Sequence, residues 1–166
     1  MPEKHIVVDG IRFTYSGMFD ISEFFQLLDE WTDGNDYERE TKKKLEHVFS
    51  HGKRMEYVFE LWKPLADYAR STVRIKALFR DIVDFELKKG MHKRNMQKGK
   101  VLVIIDGFLE TDIEYRWQQK PLYIFLRTLY DKLVWKFWLG RYDGDVSAAC
   151  SSLYNTLFGY FKRYKY

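Results

Sequence analysis

A chain of 166 residues with 46% hydrophobic side chains and only 3 prolines can bury a substantial core and is too apolar for wholesale disorder. Its 28 Lys+Arg against 24 Asp+Glu leave a net charge of +4. That balance is compatible with RNA, an anionic membrane surface or no polyanion at all, and falls short of a committed DNA binder.

One cysteine, Cys150, excludes an intrachain disulfide and a multi-cysteine zinc site. Its small and apolar neighbours mark a buried thiol rather than a nucleophile. Aromatic residues reach 18% of the chain, so rings are expected to dominate whatever core or surface forms. Met1-Pro2-Glu3-Lys4-His5 offers no apolar core of a signal peptide, and no uncharged apolar run reaches the roughly 18 residues of a spanning helix. The expectation is one cytosolic domain over residues 1–166 with no transmembrane segment.

Ile11, Phe13 and Tyr15 alternate with Arg12 and Thr14 as a short strand, and Ser16-Gly17-Met18-Phe19 reads as its turn. Asp20 and Glu23 resemble a capping box. Behind them Ile21, Phe24, Phe25, Leu28 and Trp31 form a helical stripe, stopped at Asp33-Gly34-Asn35-Asp36. Residues 37–49 are charged throughout. Tyr37, Thr41, Leu45 and Phe49 mark them as an exposed edge strand, with a helix as the competing reading. After a turn at Ser50–Lys53, Met55–Trp62 alternates as a strand, bent at Lys63–Asp67. Val73–Arg80 alternates as the next, antiparallel to it, and Asp81 separates it from a shorter strand over Val83–Leu87.

Lys88–Lys100 leads into a long central strand, Val101–Trp117. Val101, Val103, Ile105 and Leu109 line one face, and Glu110, Asp112 and Glu114 the other. Asp106-Gly107 reads as a bend within it. Pro121 opens an aromatic helix that Gly140 ends, and Arg141–Gly144 links it to a last amphipathic helix capped by Asp143 or Asp145. Val146, Cys150, Leu153, Leu157 and Tyr160 or Phe161 form the apolar stripe of that last helix. The fold class is therefore α+β: a curved, mostly antiparallel sheet of five to six strands, one N-terminal helix and two C-terminal helices.

This order of elements resembles START-like (SRPBCC) domains, which hold apolar ligands between sheet and helix. The resemblance implies a sheet wrapped around the terminal helix and a carrier of an apolar small molecule or lipid. The second short helix found early in that fold has no counterpart here. Gly17-Met18-Phe19-Asp20, Gly107–Asp112, Tyr115-Arg116-Trp117 and Leu126–Lys132 resemble stretches of small archaeal proteins without an assigned activity, so that likeness implies no function.

The sharpest compositional feature is a basic run without an acid: Lys88, Lys89, Lys93, Arg94, Lys98 and Lys100, with His92. Such density attracts a phosphate backbone or anionic headgroups, and it equally suits a solvated hairpin tip. No nucleic-acid-binding signature accompanies it. Glu110, Asp112 and Glu114 could supply hard oxygen ligands, but i, i+2 carboxylates stand about 7 Å apart along a strand. Pairing with Arg74 and Lys76 on a neighbouring strand is the simpler reading.

The aromatic helix offers Tyr123, Phe125, Tyr130, Trp135 and Trp138 either to the core or to an apolar ligand or partner, with shallow seating in a bilayer as a further use. His47 and His51, at i, i+4, lack a third ligand and fall on strand and turn. No phosphate loop, nucleophile elbow or zinc-protease motif occurs, and no cofactor or metal is implied. The preferred expectation is a non-catalytic binding or assembly protein. It would meet a protein partner or itself through aromatic surfaces, and nucleic acid or a membrane surface through residues 88–100. A START-like carrier is the alternative, and an enzyme using the acidic strand is the third.

Overall fold

The computed structural model describes residues 3–66, 69–111 and 136–163, with the backbone alone for Glu3, Lys89 and residues 136–139. They form an α+β structure of one antiparallel sheet of five strands and two helices. The strands are β1 (Glu3–Phe19), β2 (Glu38–Phe49), β3 (Gly52–Ala66), β4 (Ala69–Lys89) and β5 (His92–Thr111), in the order β1-β5-β4-β3-β2. Helix α1 (Ile21–Gly34) joins β1 to β2, and helix α2 (Lys136–Arg163) follows β5 in the chain. No helix among the described residues is long and apolar enough to cross a membrane.

Period-2 alternation decides the faces. The odd-numbered Val73, Ile75, Ala77 and Phe79 of β4 and Val101, Val103, Ile105 and Leu109 of β5 are buried with the apolar stripes of both helices. The layer between is built of rings. Phe161 of α2 lies 5.8 Å from Phe19 and 5.6 Å from Phe24, and Phe24 and Phe19 each approach Phe79 within 5.8 Å. Such offset and edge contacts add about 0.5–1.5 kcal/mol per pair beyond the area they bury. Even-numbered residues over 70–80 of β4 and 98–110 of β5 face outward.

Asp20 caps α1 by accepting from the Ser22 amide at 2.9 Å, and Asn35 closes its far end. The charged segment is a strand, not a helix: β2 is the sheet edge, exposed along its whole length. Its charges resist pairing with a further strand.

Several expectations are corrected. Ser16–Phe19 is no turn but the end of β1, held by pairing as far as Phe19 with Gln97. Asp81 does not separate two strands. It takes φ +54 in a bulge between the Arg80 and Val83 pairings, and β4 continues through it. The central strand begins at His92, nine residues before Val101, because residues 92–100 pair with the far half of β4. Asp106-Gly107 is an unbroken part of β5. The irregularity lies opposite, in β1, where the Gly10 amide donates to Asp106 at 2.7 Å. A Cβ at Gly107 would stand 2.6 Å from the Cys150 sulfur, so this glycine lets α2 approach the sheet.

One C-terminal helix is described in place of two. α2 runs through Gly140 and Gly144, so neither ends a helix and neither Asp143 nor Asp145 caps one. Each glycine costs a helix about 1 kcal/mol, and burial of Val146, Cys150, Leu153, Leu157 and Phe161 outweighs that. The remainder of the expected aromatic helix and the strand beyond Thr111 lie outside the described residues.

Candidate anion-binding face of the sheet

The outward face of the sheet has two ends of opposite character. Toward the start of β1 its charges are neutralised. Glu110, 2% exposed, accepts from Arg70 at 2.5 Å and pairs with Lys4 at 3.4 Å. Glu60 pairs with Arg74 at 3.3 Å and Lys42 at 3.2 Å. Burial pushes the Glu60 carboxyl up, but these two cations outweigh it and hold it below the usual carboxylate range. Arg70 lies over Trp62, and Arg74 over Phe108, with centroid distances of 5.4 and 5.2 Å. The acidic row is thus partly placed. Glu110 pairs with Arg70 and Lys4, not with Arg74 or Lys76 as expected, because the β4–β5 register sets it beside Arg70. Asp112 and Glu114 lie outside the described residues.

At the other end Arg80, Lys98 and Lys100 gather, while the nearby Asp81 and Asp84 pair with His51 and Lys53 instead. Three cross-strand rows succeed one another over β1, β5 and β4: Thr14, Leu102 and Leu78; Ser16, Lys100 and Arg80; Met18, Lys98 and Val83. The first two rows, with Tyr15 and Val101, line an open depression of about 380 Å³. Arg80 and Lys100 stand directly opposite each other, a destabilising arrangement for like charges. Among the described residues no carboxylate lies within ion-pair distance of Arg80, Lys98 or Lys100.

The bulge at Asp81 and Ile82 makes this patch. It turns Ile82 into the core, 1% exposed, and returns Val83 to the outward face. Gly99 admits it, since a Cβ there would meet Ile82 Cδ1 at 2.4 Å and the Arg80 carbonyl at 2.8 Å.

Beyond the patch, β4 and β5 project as a two-stranded arm. β1 pairing ends at Phe19 with Gln97 and β3 pairing ends at Lys53 with Ile82, so residues 83–96 pair only with each other among the described strands. Gly90, at φ +65, turns the arm, and Met91 at its tip is fully exposed. Lys88 faces Lys93 across the ladder. The base of the arm is anchored. Gln97 accepts from the Ile21 amide at 2.9 Å and donates to Asp84 at 3.1 Å. Lys53 pairs with Asp84 at 2.9 Å, which with the Gln97 bond holds the Asp84 carboxyl below its ordinary range. Tyr160 of α2 bonds Asp20 O at 2.8 Å and Glu23 at 3.1 Å.

The structure therefore divides the basic run of the sequence. Arg94 pairs with Asp20 and Glu23, which fixes the arm to the start of α1. Lys88 and Lys93 crown the arm, with Lys89 beside them in the backbone. Lys98 and Lys100 join Arg80, Ser16 and Thr14, which sequence reasoning missed as a site. The signal was present in the alternation of 74–80, but only cross-strand register sets Arg80 opposite Lys100.

Of the aromatic candidates, Tyr123, Phe125, Tyr130 and Trp135 lie outside the described residues, and Trp138 is placed in backbone alone, in the first turn of α2. His51 faces Asp81 at 3.4 Å and stacks on Phe49, on the turn before β3 as expected.

Comparison with protein-family models, with curated proteins and with solved structures returns no match.

Proposed function

We propose that this is a non-catalytic binding protein that engages an anionic partner through the basic end of its sheet. One observation carries the reading: Arg80 and Lys100 line a depression, Lys98 lies in the next row of the same face, and none has a carboxylate partner among the described residues, whereas Glu60 and Glu110 on that face are matched by cations. A sheet neutralised at one end and left basic at the other favours a ligand that supplies the missing negative charge. Ser16 and Thr14 add hydroxyl donors beside the cations, as phosphate oxygens require.

The START-like carrier reading rests on element order and on the expected wrapping of the sheet around the terminal helix. The ring contacts between α1, α2 and the sheet occupy the layer where such a ligand would lie, so the anionic reading is preferred.

The test is retention on a heparin matrix. The full chain should elute at a defined salt concentration, and an Arg80→Ala/Lys98→Ala/Lys100→Ala variant should elute markedly earlier with a melting temperature that is not lowered. Elution of both at the same salt would refute the reading.

A further inference from the structure

Resting on that reading, we propose that the anionic partner is the surface of a phospholipid bilayer. Arg80, Lys98 and Lys100 would meet headgroup phosphates, and the arm would lie in the interfacial layer.

The argument is the company the cations keep. Most of the large exposed hydrophobic side chains gather at this same end of the sheet. Met18 and Val83, 43% and 51% exposed, flank Lys98 in one cross-strand row. Leu87 lies on the same ribbon face of the arm as Val83, and Met91 stands fully exposed at the tip between basic residues. The β2–β3 turn adds Val48 and Phe49, both exposed, and pairing of Lys53 with Ile82 places that turn beside the base of the arm. Two hairpin ends thus present apolar side chains within a basic surround.

A nucleic-acid backbone would use the cations and leave Met18, Val83, Leu87 and Met91 in water. Among the described residues at this end, the large exposed ring is Phe49, and one of its faces already stacks on His51. A bilayer uses both halves: anionic headgroups attract the lysines and arginine, and the headgroup–acyl boundary takes the aliphatic chains.

Sedimentation of the full chain with phosphatidylcholine vesicles, with and without phosphatidylserine, tests this. The protein should sediment with the anionic vesicles only, and less so as salt rises. The Arg80→Ala/Lys98→Ala/Lys100→Ala variant should lose about fivefold in partition per cation removed. A Val83→Ser/Met91→Ser variant, with both sites exposed and the charge intact, should lose several-fold while keeping its retention on heparin.

Failure to bind anionic vesicles, or binding indifferent to both variants, overturns the proposal. Heparin retention that falls in the triple variant while vesicles stay unbound removes the membrane and leaves the anion-binding face. Capture of single-stranded RNA without vesicle binding does the same. Heparin retention unchanged by the triple variant, together with unbound vesicles, removes both.

Discussion

Arg80 and Lys100 occupy directly opposed positions of the β4–β5 ladder, with Ser16 of β1 completing their row. Opposed like charges weaken a sheet, and among the described residues no carboxylate lies within ion-pair distance to offset them. The residues of this face are thus in tension between stability and binding. Arg80→Ser should raise stability in urea denaturation by a few tenths to about 1 kcal/mol and at the same time lower the salt needed to elute the protein from heparin. A variant that is both less stable and equally well retained would show that solvent already absorbs the repulsion.

The bulge that shapes the patch depends on Gly99. In Gly99→Ala the new methyl would stand 2.4 Å from Ile82 Cδ1 and 2.8 Å from the Arg80 carbonyl. The side chain can shift, but the backbone oxygen resists, so a loss of about 1–3 kcal/mol is expected. Heparin retention should fall with it, because Arg80 sits at the contact. Gly144→Ala, where a Cβ meets nothing within 4 Å, serves as the control and should be neutral or stabilising.

Glu60 links the outward face to pH. Its ordinary value is 4.5, and in the fold Lys42 and Arg74 hold it lower against the opposing effect of burial. Between the folded and unfolded values the unfolded chain binds more protons. The contribution of Glu60 is therefore complete above about pH 4.5 and is lost as pH falls through its folded value. Glu60→Gln should cost about 1 kcal/mol at neutral pH, allowing for solvent around the half-exposed Lys42. It should also flatten the acid limb of a plot of melting temperature against pH. An unchanged acid limb would mean that the pairings contribute nothing.

Cys150 is fully buried, and burial, with a smaller contribution from the Asp106 charge, pushes its thiol up to about 12. Since the thiolate is the reactive form, the native protein should resist an aromatic disulfide reagent at pH 8. Modification should be quantitative in denaturant and, without it, should proceed no faster than unfolding. Rapid labelling of the native state would show that α2 leaves the sheet readily.

Much of the fold was legible because it rests on local periodicity. The alternation of Val101, Val103 and Ile105, the stripe of Ile21, Phe24, Leu28 and Trp31, and the Asp20 cap each follow from spacing along one segment. The errors share a cause. Asp81, Gly140 and Gly144 have the local preferences of element ends. Long-range burial of Ile82 on one side, and of Val146 and Cys150 on the other, carried β4 and α2 straight through them.

The candidate site divides along the same line. Composition and order by themselves determined that residues 88–100 are basic, favoured a charged edge strand over a helix for 37–49, and marked Cys150 as a buried thiol. Which cations stand together was decided by strand register alone. The seating of α1 beside the arm spends Arg94 on Asp20 and Glu23, and register brings Arg80, some twenty residues away in the chain, opposite Lys100. A sequence states the charge of each side chain. Only the pairing of strands far apart in the chain states which charges are neutralised, and so which are left for a partner.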